Sequence, residues 1–272
     1  MTTPPRRVKR FAAGRARALG APTRGTTNPN RLRRNDNWIC TSPRTAAVLS
    51  TGEALVVDLG YGATAVTTLE LASRLHRRYP NVRVLGLEID PERVERALPY
   101  ADPPRIDFAR GGFELAGRAP QLVRAMNVLR QYDEAPALAA WDEIVARLAP
   151  GGLLVEGTCD EIGRVGTWVL VDADGPQSLT LSCSTEHLQR PEILAERLPK
   201  ALIHHNVPGE NIHRLITALG AAWDTSAGLS VFSHRQRWAA SVARLAEQGW
   251  PVQDGPRRWR LGELTVDWTA VG

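Results

Sequence analysis

Hydrophobic positions along the first two-thirds of the chain alternate between two kinds of segment. Short, nearly continuous apolar runs at 54–58, 82–88, 106–109, 122–127 and 153–156 read as buried strands. Between them lie longer stretches with helical spacing. In 65–79, Val66, Leu69, Ala72 and Leu75 recur on one face, and 136–148 carries Leu138, Trp141, Ile144 and Leu148. Asp90-Pro91 is a helix start, with an N-cap acid before proline at the first helical position. Strict strand–helix alternation predicts a doubly wound α/β domain with a mostly parallel, Rossmann-like sheet.

After Gly157 the rhythm changes. The runs 167–173 and 178–182 flank Asp174-Gly175, a strong hairpin signal, and predict an antiparallel edge to the sheet. Residues 190–222 and 234–248 read as helices interrupted at Pro208-Gly209 and Ala227-Gly228, and a short hairpin is expected over about 257–268. The organisation that follows is a basic leader at 1–27, an α/β domain at 28–185, and a helical appendage with a terminal hairpin at 186–272. The segment 28–39, with Pro29, Leu32, Trp38 and Ile39 among its charges, is expected to pack near the mouth of the sheet.

Charge sharpens this division. The chain of 272 residues carries a formal net charge of +5, yet residues 1–35 hold ten basic side chains and no acid. The rest of the chain, with 24 basic and 29 acidic groups, is net acidic. A leader rich in Arg, Gly, Pro and Thr reads as disordered, with weak, non-specific polyanion binding through residues 1–35 as its one partner expectation. Arg6-Arg7 does not make a twin-arginine signal, because Arg10, Arg15 and Arg17 interrupt the apolar stretch that should follow. No apolar run approaches the roughly 18 residues of a membrane span, so no membrane partner is expected. Three cysteines (Cys40, Cys159 and Cys183) without CxxC spacing fit a reducing, cytoplasmic setting, and neither they nor the scattered histidines suggest a metal site.

The candidate chemistry lies where the first two strands end. Ala54–Gly62 reads Ala-Leu-Val-Val-Asp-Leu-Gly-Tyr-Gly, and Val84-Leu85-Gly86-Leu87-Glu88 follows some thirty residues later. A glycine-rich turn after the first strand and an acid closing the second place a nucleotide-like cofactor at the carboxyl edge of the sheet. Gly60 and Gly62 suit positive φ and close backbone approach, and Glu88 suits a ribose diol. Asp58, two residues before the first glycine, would repel a pyrophosphate.

These residues resemble the motifs of class I S-adenosylmethionine-dependent methyltransferases. Val56-Val57-Asp58-Leu59-Gly60-Tyr61-Gly62-Ala63 looks like their first motif and Leu85-Gly86-Leu87-Glu88-Ile89-Asp90 like their second. Leu148 to Val155 is similar to the turn and strand after their fourth. The resemblance covers roughly residues 40–185. It implies S-adenosylmethionine as cofactor, Asp58 near the methionine amino group, Gly60, Tyr61 and Gly62 under the methionyl part, and Glu88 on the ribose. It further implies Gly112 and Phe113 beside the adenine, with Phe113 either stacking on the base or belonging to the core. Thr64 stands where many members have a third glycine, and Gly112 where they have an acid.

The fourth strand leads to Asn127 and Tyr132, the candidates for contact with a methyl acceptor; Asn127 equally suits a hydrogen bond to the methionine carboxylate of the cofactor, or capping of the strand end. Arg124 and Arg130 suit an anionic substrate, though facing solvent is the commoner fate of an arginine. The Asn/Asp-Pro-Pro-Tyr/Phe motif is missing, which disfavours nucleobase amines and leaves a small molecule as the favoured acceptor. Methyl transfer needs mainly positioning and exclusion of water, so no single catalytic group is demanded. Two other readings stay open. One is an NAD-type oxidoreductase, since Gly60-x-Gly62-x-x-Ala65 meets a looser dinucleotide pattern; the other is a cofactor-binding protein without turnover.

Overall fold

The computed structural model describes residues 27–272, so the leader expected over residues 1–27 falls, apart from Thr27, outside the described residues. Eight strands form one sheet in the order β3-β2-β1-β4-β5-β6-β7-β8. They are β1 (Leu55–Leu59), β2 (Arg83–Glu88), β3 (Ile106–Arg110), β4 (Leu122–Met126), β5 (Leu153–Cys159), β6 (Val165–Asp172), β7 (Gly175–Cys183) and β8 (Glu263–Asp267). The first five are parallel and the last three antiparallel. The sheet is thus the Rossmann-like, mostly parallel one that the strand–helix alternation predicts.

Helices α1 (Arg33–Thr41) and α2 (Pro43–Leu49) precede the sheet. Helices α3 (Val66–His76), α4 (Pro91–Ala97) and α5 (Glu134–Val145) connect its parallel strands. Helices α6 (Asn211–Thr225) and α7 (His234–Glu247) follow β7. The α4 start is the expected one: the Asp90 carboxylate accepts from the Glu92 amide at 2.9 Å, with Pro91 next in line. The sheet reverses direction of winding between β1 and β4, which makes the carboxyl ends of these strands the topological switch point.

Two expectations change. The buried face of α3 is Thr67, Thr68, Leu71, Ala72 and Leu75, while Val66 and Leu69 are only half-buried. The helix is rotated because a buried carboxylate of β1 needs the Thr68 hydroxyl. The terminal hairpin is instead a helical turn, Pro256–Trp259, followed by the single strand β8. Pro256 favours the turn, and the open edge of β7 offers β8 its ladder, burying Glu263 to Val266. The helices of residues 186–272 pack onto the sheet. Leu215, Leu219, Trp223, Trp238 and Leu245 share one continuous core with Val123, Leu154, Val169 and Leu181 of the sheet.

Candidate functional site

The carboxyl ends of β1 to β5 form the candidate site. The loop after β1 turns through Gly60 at φ +67° and Gly62 at φ +87°, values that side chains rarely adopt. It is tied to the next strand: the Gly60 amide donates to the Leu87 carbonyl at 2.7 Å, and the Gly62 amide to Glu88 Oε2 at 3.0 Å. Glu88 is buried, and its other oxygen accepts from the Ile89 amide at 3.0 Å while Arg93 lies 3.4 Å from Oε2. The next amide of the loop, that of Ala63, donates to Thr27 Oγ1 at 3.2 Å. Tyr61 turns away into the protein, edge-on to Phe108 with centroids 5.5 Å apart. Burial, then the charges of Glu88 and Asp58, raise its phenol pKa far above the ordinary range.

Asp58 ends in a different setting from the one its position suggests. It stands opposite Arg124 in the β1–β4 ladder, and Arg124 is wholly buried. Arg124 Nε donates to Asp58 Oδ1 at 2.9 Å, and its Nη2 lies 2.7 Å from Oδ2, where Thr68 also donates at 2.7 Å. The same guanidinium pairs with Asp36 of α1, which in turn meets Arg74 of α3 at 2.6 Å. Burial works against the charge of Arg124, but Asp58 and Asp36 outweigh it and raise its pKa. Burial pushes Asp36 up to about 6, with Arg124 and Arg74 pulling against it.

This network corrects the sequence reading in two ways. Arg124 is no solvent-facing or substrate-facing arginine. The charge of Asp58 is neutralised inside the protein, so repulsion by Asp58 is no ground for excluding a phosphate. The sequence offered Arg124 only as a substrate-facing or solvent-facing cation and Asp36 not at all, because an arginine in an apolar strand becomes meaningful only once its two acids are placed around it.

On the other side of the switch point the structure brings Phe113 and Tyr132 together, ring centroids 5.8 Å apart and tilted by 55°. Phe113 is mostly buried within the main core, and Tyr132 half-buried at its border. The Gly112 amide turns back onto the Glu114 carboxylate at 3.0 Å. Asn127, at φ +62°, joins the ends of β4 and β5: its Oδ1 accepts from the Cys159 amide at 2.9 Å and its Nδ2 donates to Cys159 Sγ at 3.3 Å. Burial holds the Cys159 thiol above its usual pKa.

Above this seam the segment before α1 crosses the rim as a strap. Thr27 sits on the glycine loop, Asn28 Nδ2 donates to the Glu161 carbonyl at 3.0 Å, and Arg31 Nε to that of Asp160 at 3.0 Å. The expectation that 28–39 packs at the mouth of the sheet holds. Arg130 lies near Arg197 and Arg31; burial first and then these two cations lower its pKa. Among the described residues no group of three or more His, Cys, Asp or Glu is placed to hold a metal ion, and no helix is long and apolar enough to cross a membrane.

No protein-family model matches the chain, and neither does any curated protein sequence. Solved structures do. Human N-acetylserotonin methyltransferase in complex with S-adenosylmethionine is similar over 49% of this chain and 36% of its own, at 22% identity and a TM-score of 0.36. A pericyclic reaction enzyme is similar over 49% of this chain and 33% of its own, at 21% identity and a TM-score of 0.36. The magnesium protoporphyrin IX methyltransferase of Synechocystis, with bound S-adenosylhomocysteine, is similar over 56% of this chain and 67% of its own, at 16% identity and a TM-score of 0.36. The chain thus spans about a third of the length of the first two.

Proposed function

We propose that the chain binds S-adenosylmethionine at the carboxyl ends of β1 and β2 and transfers its methyl group to a small-molecule acceptor. One observation carries the choice of cofactor. The two amides that follow the glycine turn, those of Gly62 and Ala63, donate to the Glu88 carboxylate and the Thr27 hydroxyl. A dinucleotide would need such amides for its pyrophosphate, and would have to bring it beside a buried carboxylate. A ligand with a sulfonium, an ammonium and a ribose diol has no such conflict. S-adenosylmethionine would supply an activated methyl on a good leaving group, and the protein's part is to orient it and exclude water.

In this reading Gly60 and Gly62 hold the backbone back from the ligand, and Glu88 faces the ribose. Asp58 acts as a positioning residue that anchors α3 and α1 through Thr68 and Arg124. Phe113 and Tyr132 form an apolar wall, and Asn127 lies where the acceptor would approach β4. The protein acts in the cytoplasm, and the basic leader adds weak, sequence-independent attachment to polyanions.

Calorimetry of the full chain with S-adenosylhomocysteine and, separately, NAD tests the cofactor. Binding of S-adenosylhomocysteine alone is the expected result, and binding of NAD alone would move the proposal to an oxidoreductase. Turnover of S-adenosylmethionine with a panel of small hydroxyl and amine acceptors then separates an enzyme from an inert binder.

A further inference from the structure

The carboxyl rim of the sheet continues past the glycine loop to the antiparallel edge, where a concave site opens. Arg33 and Arg34 of α1, Arg235 of α7 and Arg260 before β8 line a cleft of about 280 Å³. This is close to the lower end of small-ligand pockets, ~300 Å³. From β1 to β7 there are four strand spacings, roughly 19 Å, so the cleft is separate from the position proposed for the cofactor.

The charges in the cleft do not balance. Its two acids are Glu186 and Glu263. Glu263 is buried and paired at 2.7 Å with Arg258, a fifth arginine, and its charge also acts on Arg34, so two acids stand against five arginines. Among the described residues Arg33, Arg235 and Arg260 form no ion pair. Arg34 donates Nη1 to the Leu261 carbonyl at 2.9 Å, which fixes its head group in the wall while burial lowers its pKa. Four guanidiniums drawn from three separate parts of the chain repel one another, and a multiply charged anion relieves that repulsion.

We propose that this cleft binds the phosphoryl group of a small phosphorylated compound through Arg33, Arg34, Arg235 and Arg260. A carboxylate is planar and singly charged, and two guanidinium forks saturate it. A phosphoryl dianion has tetrahedrally arranged oxygens that accept from several directions and matches the excess charge better. Asn37 and Ser184 on the cleft wall add neutral hydrogen-bonding groups. The site is a concavity walled by separate elements, a shape that suits a compact ligand better than the continuous backbone of a polynucleotide. It stands independently of the cofactor reading.

The test is calorimetry of the full chain with inorganic pyrophosphate at moderate salt. One saturable site is expected, weakened tenfold or more in the variant Arg235→Ala/Arg260→Ala. Both side chains are exposed, so the variant should melt like the parent. The variant Arg77→Ala/Arg118→Ala removes as much charge from exposed positions elsewhere and should leave binding unchanged. Absence of saturable binding, or equal loss in the two variants, would overturn the proposal, as would insensitivity to both. Tighter binding of citrate than of pyrophosphate would overturn the phosphoryl assignment. Displacement of pyrophosphate by single-stranded RNA through the same arginines would assign the cleft to a polynucleotide instead.

Discussion

Asp58 on β1 and Arg124 on β4 face each other in the parallel ladder and share a two-pronged ion pair closed to solvent. Because Arg124 also holds Asp36, removing the guanidinium leaves Asp58 without its ion pair and Asp36 with Arg74 alone. We expect Arg124→Ala to destabilise the protein by about 3–5 kcal/mol, measured by urea denaturation. A loss within about 0.5 kcal/mol, the range of an ordinary surface substitution, would mean that the network is solvated in solution.

Glu88 joins the glycine loop to β2 and is the residue we propose for the ribose. Glu88→Ala should weaken S-adenosylhomocysteine binding by about 1–3 kcal/mol in a protein that still folds. Unchanged affinity would take Glu88 out of the cofactor site and leave it as a tie between two strand ends.

Asn127 combines a positive φ with two hydrogen bonds to Cys159. Asn127→Ala loses the bonds and keeps the unfavourable backbone, so its melting temperature should drop more than that of Asn127→Gly. If turnover falls in Asn127→Gly at unchanged cofactor affinity, the side chain also meets the acceptor. For Tyr132→Phe, whose ring still packs on Phe113, we expect lower turnover with stability retained. Stability loss alone would restrict Tyr132 to packing.

Glu156 lies wholly inside the sheet on β5, where burial pushes its pKa from 4.5 to about 8, the Trp141 indole pulling it back. The folded protein therefore binds a proton that the unfolded chain releases. Stability from this group is complete below about pH 4.5 and declines as pH rises towards 8. The decline reaches roughly 3 kcal/mol by pH 7, at most ~1.4 kcal/mol per pH unit. Glu156→Gln should flatten this slope in denaturation curves taken between pH 5 and pH 8, and an unaltered slope would show that another group titrates there.

The sequence by itself determined the parallel half of the sheet. A strand buried on both faces is a short apolar run, and a connecting helix has its own period, so both signals are local. The glycine turn was legible for the same reason: Gly60 and Gly62 are the residues a positive φ favours, and that need is visible at single positions. Tertiary structure alone decided the rest. Whether Asp58 meets a ligand or an arginine depended on Arg124 from β4 and Asp36 from α1, 66 and 22 residues away in the chain. The rotation of α3 followed from the same carboxylate, since a buried charge outweighs the packing of one valine and one leucine. Whether residues 257–268 close on themselves was settled by the free edge of β7, which no local pattern announces. The arginine cleft has the same origin: α1, α7 and the turn before β8 each contribute unremarkable surface cations, and their convergence exists only in the folded chain.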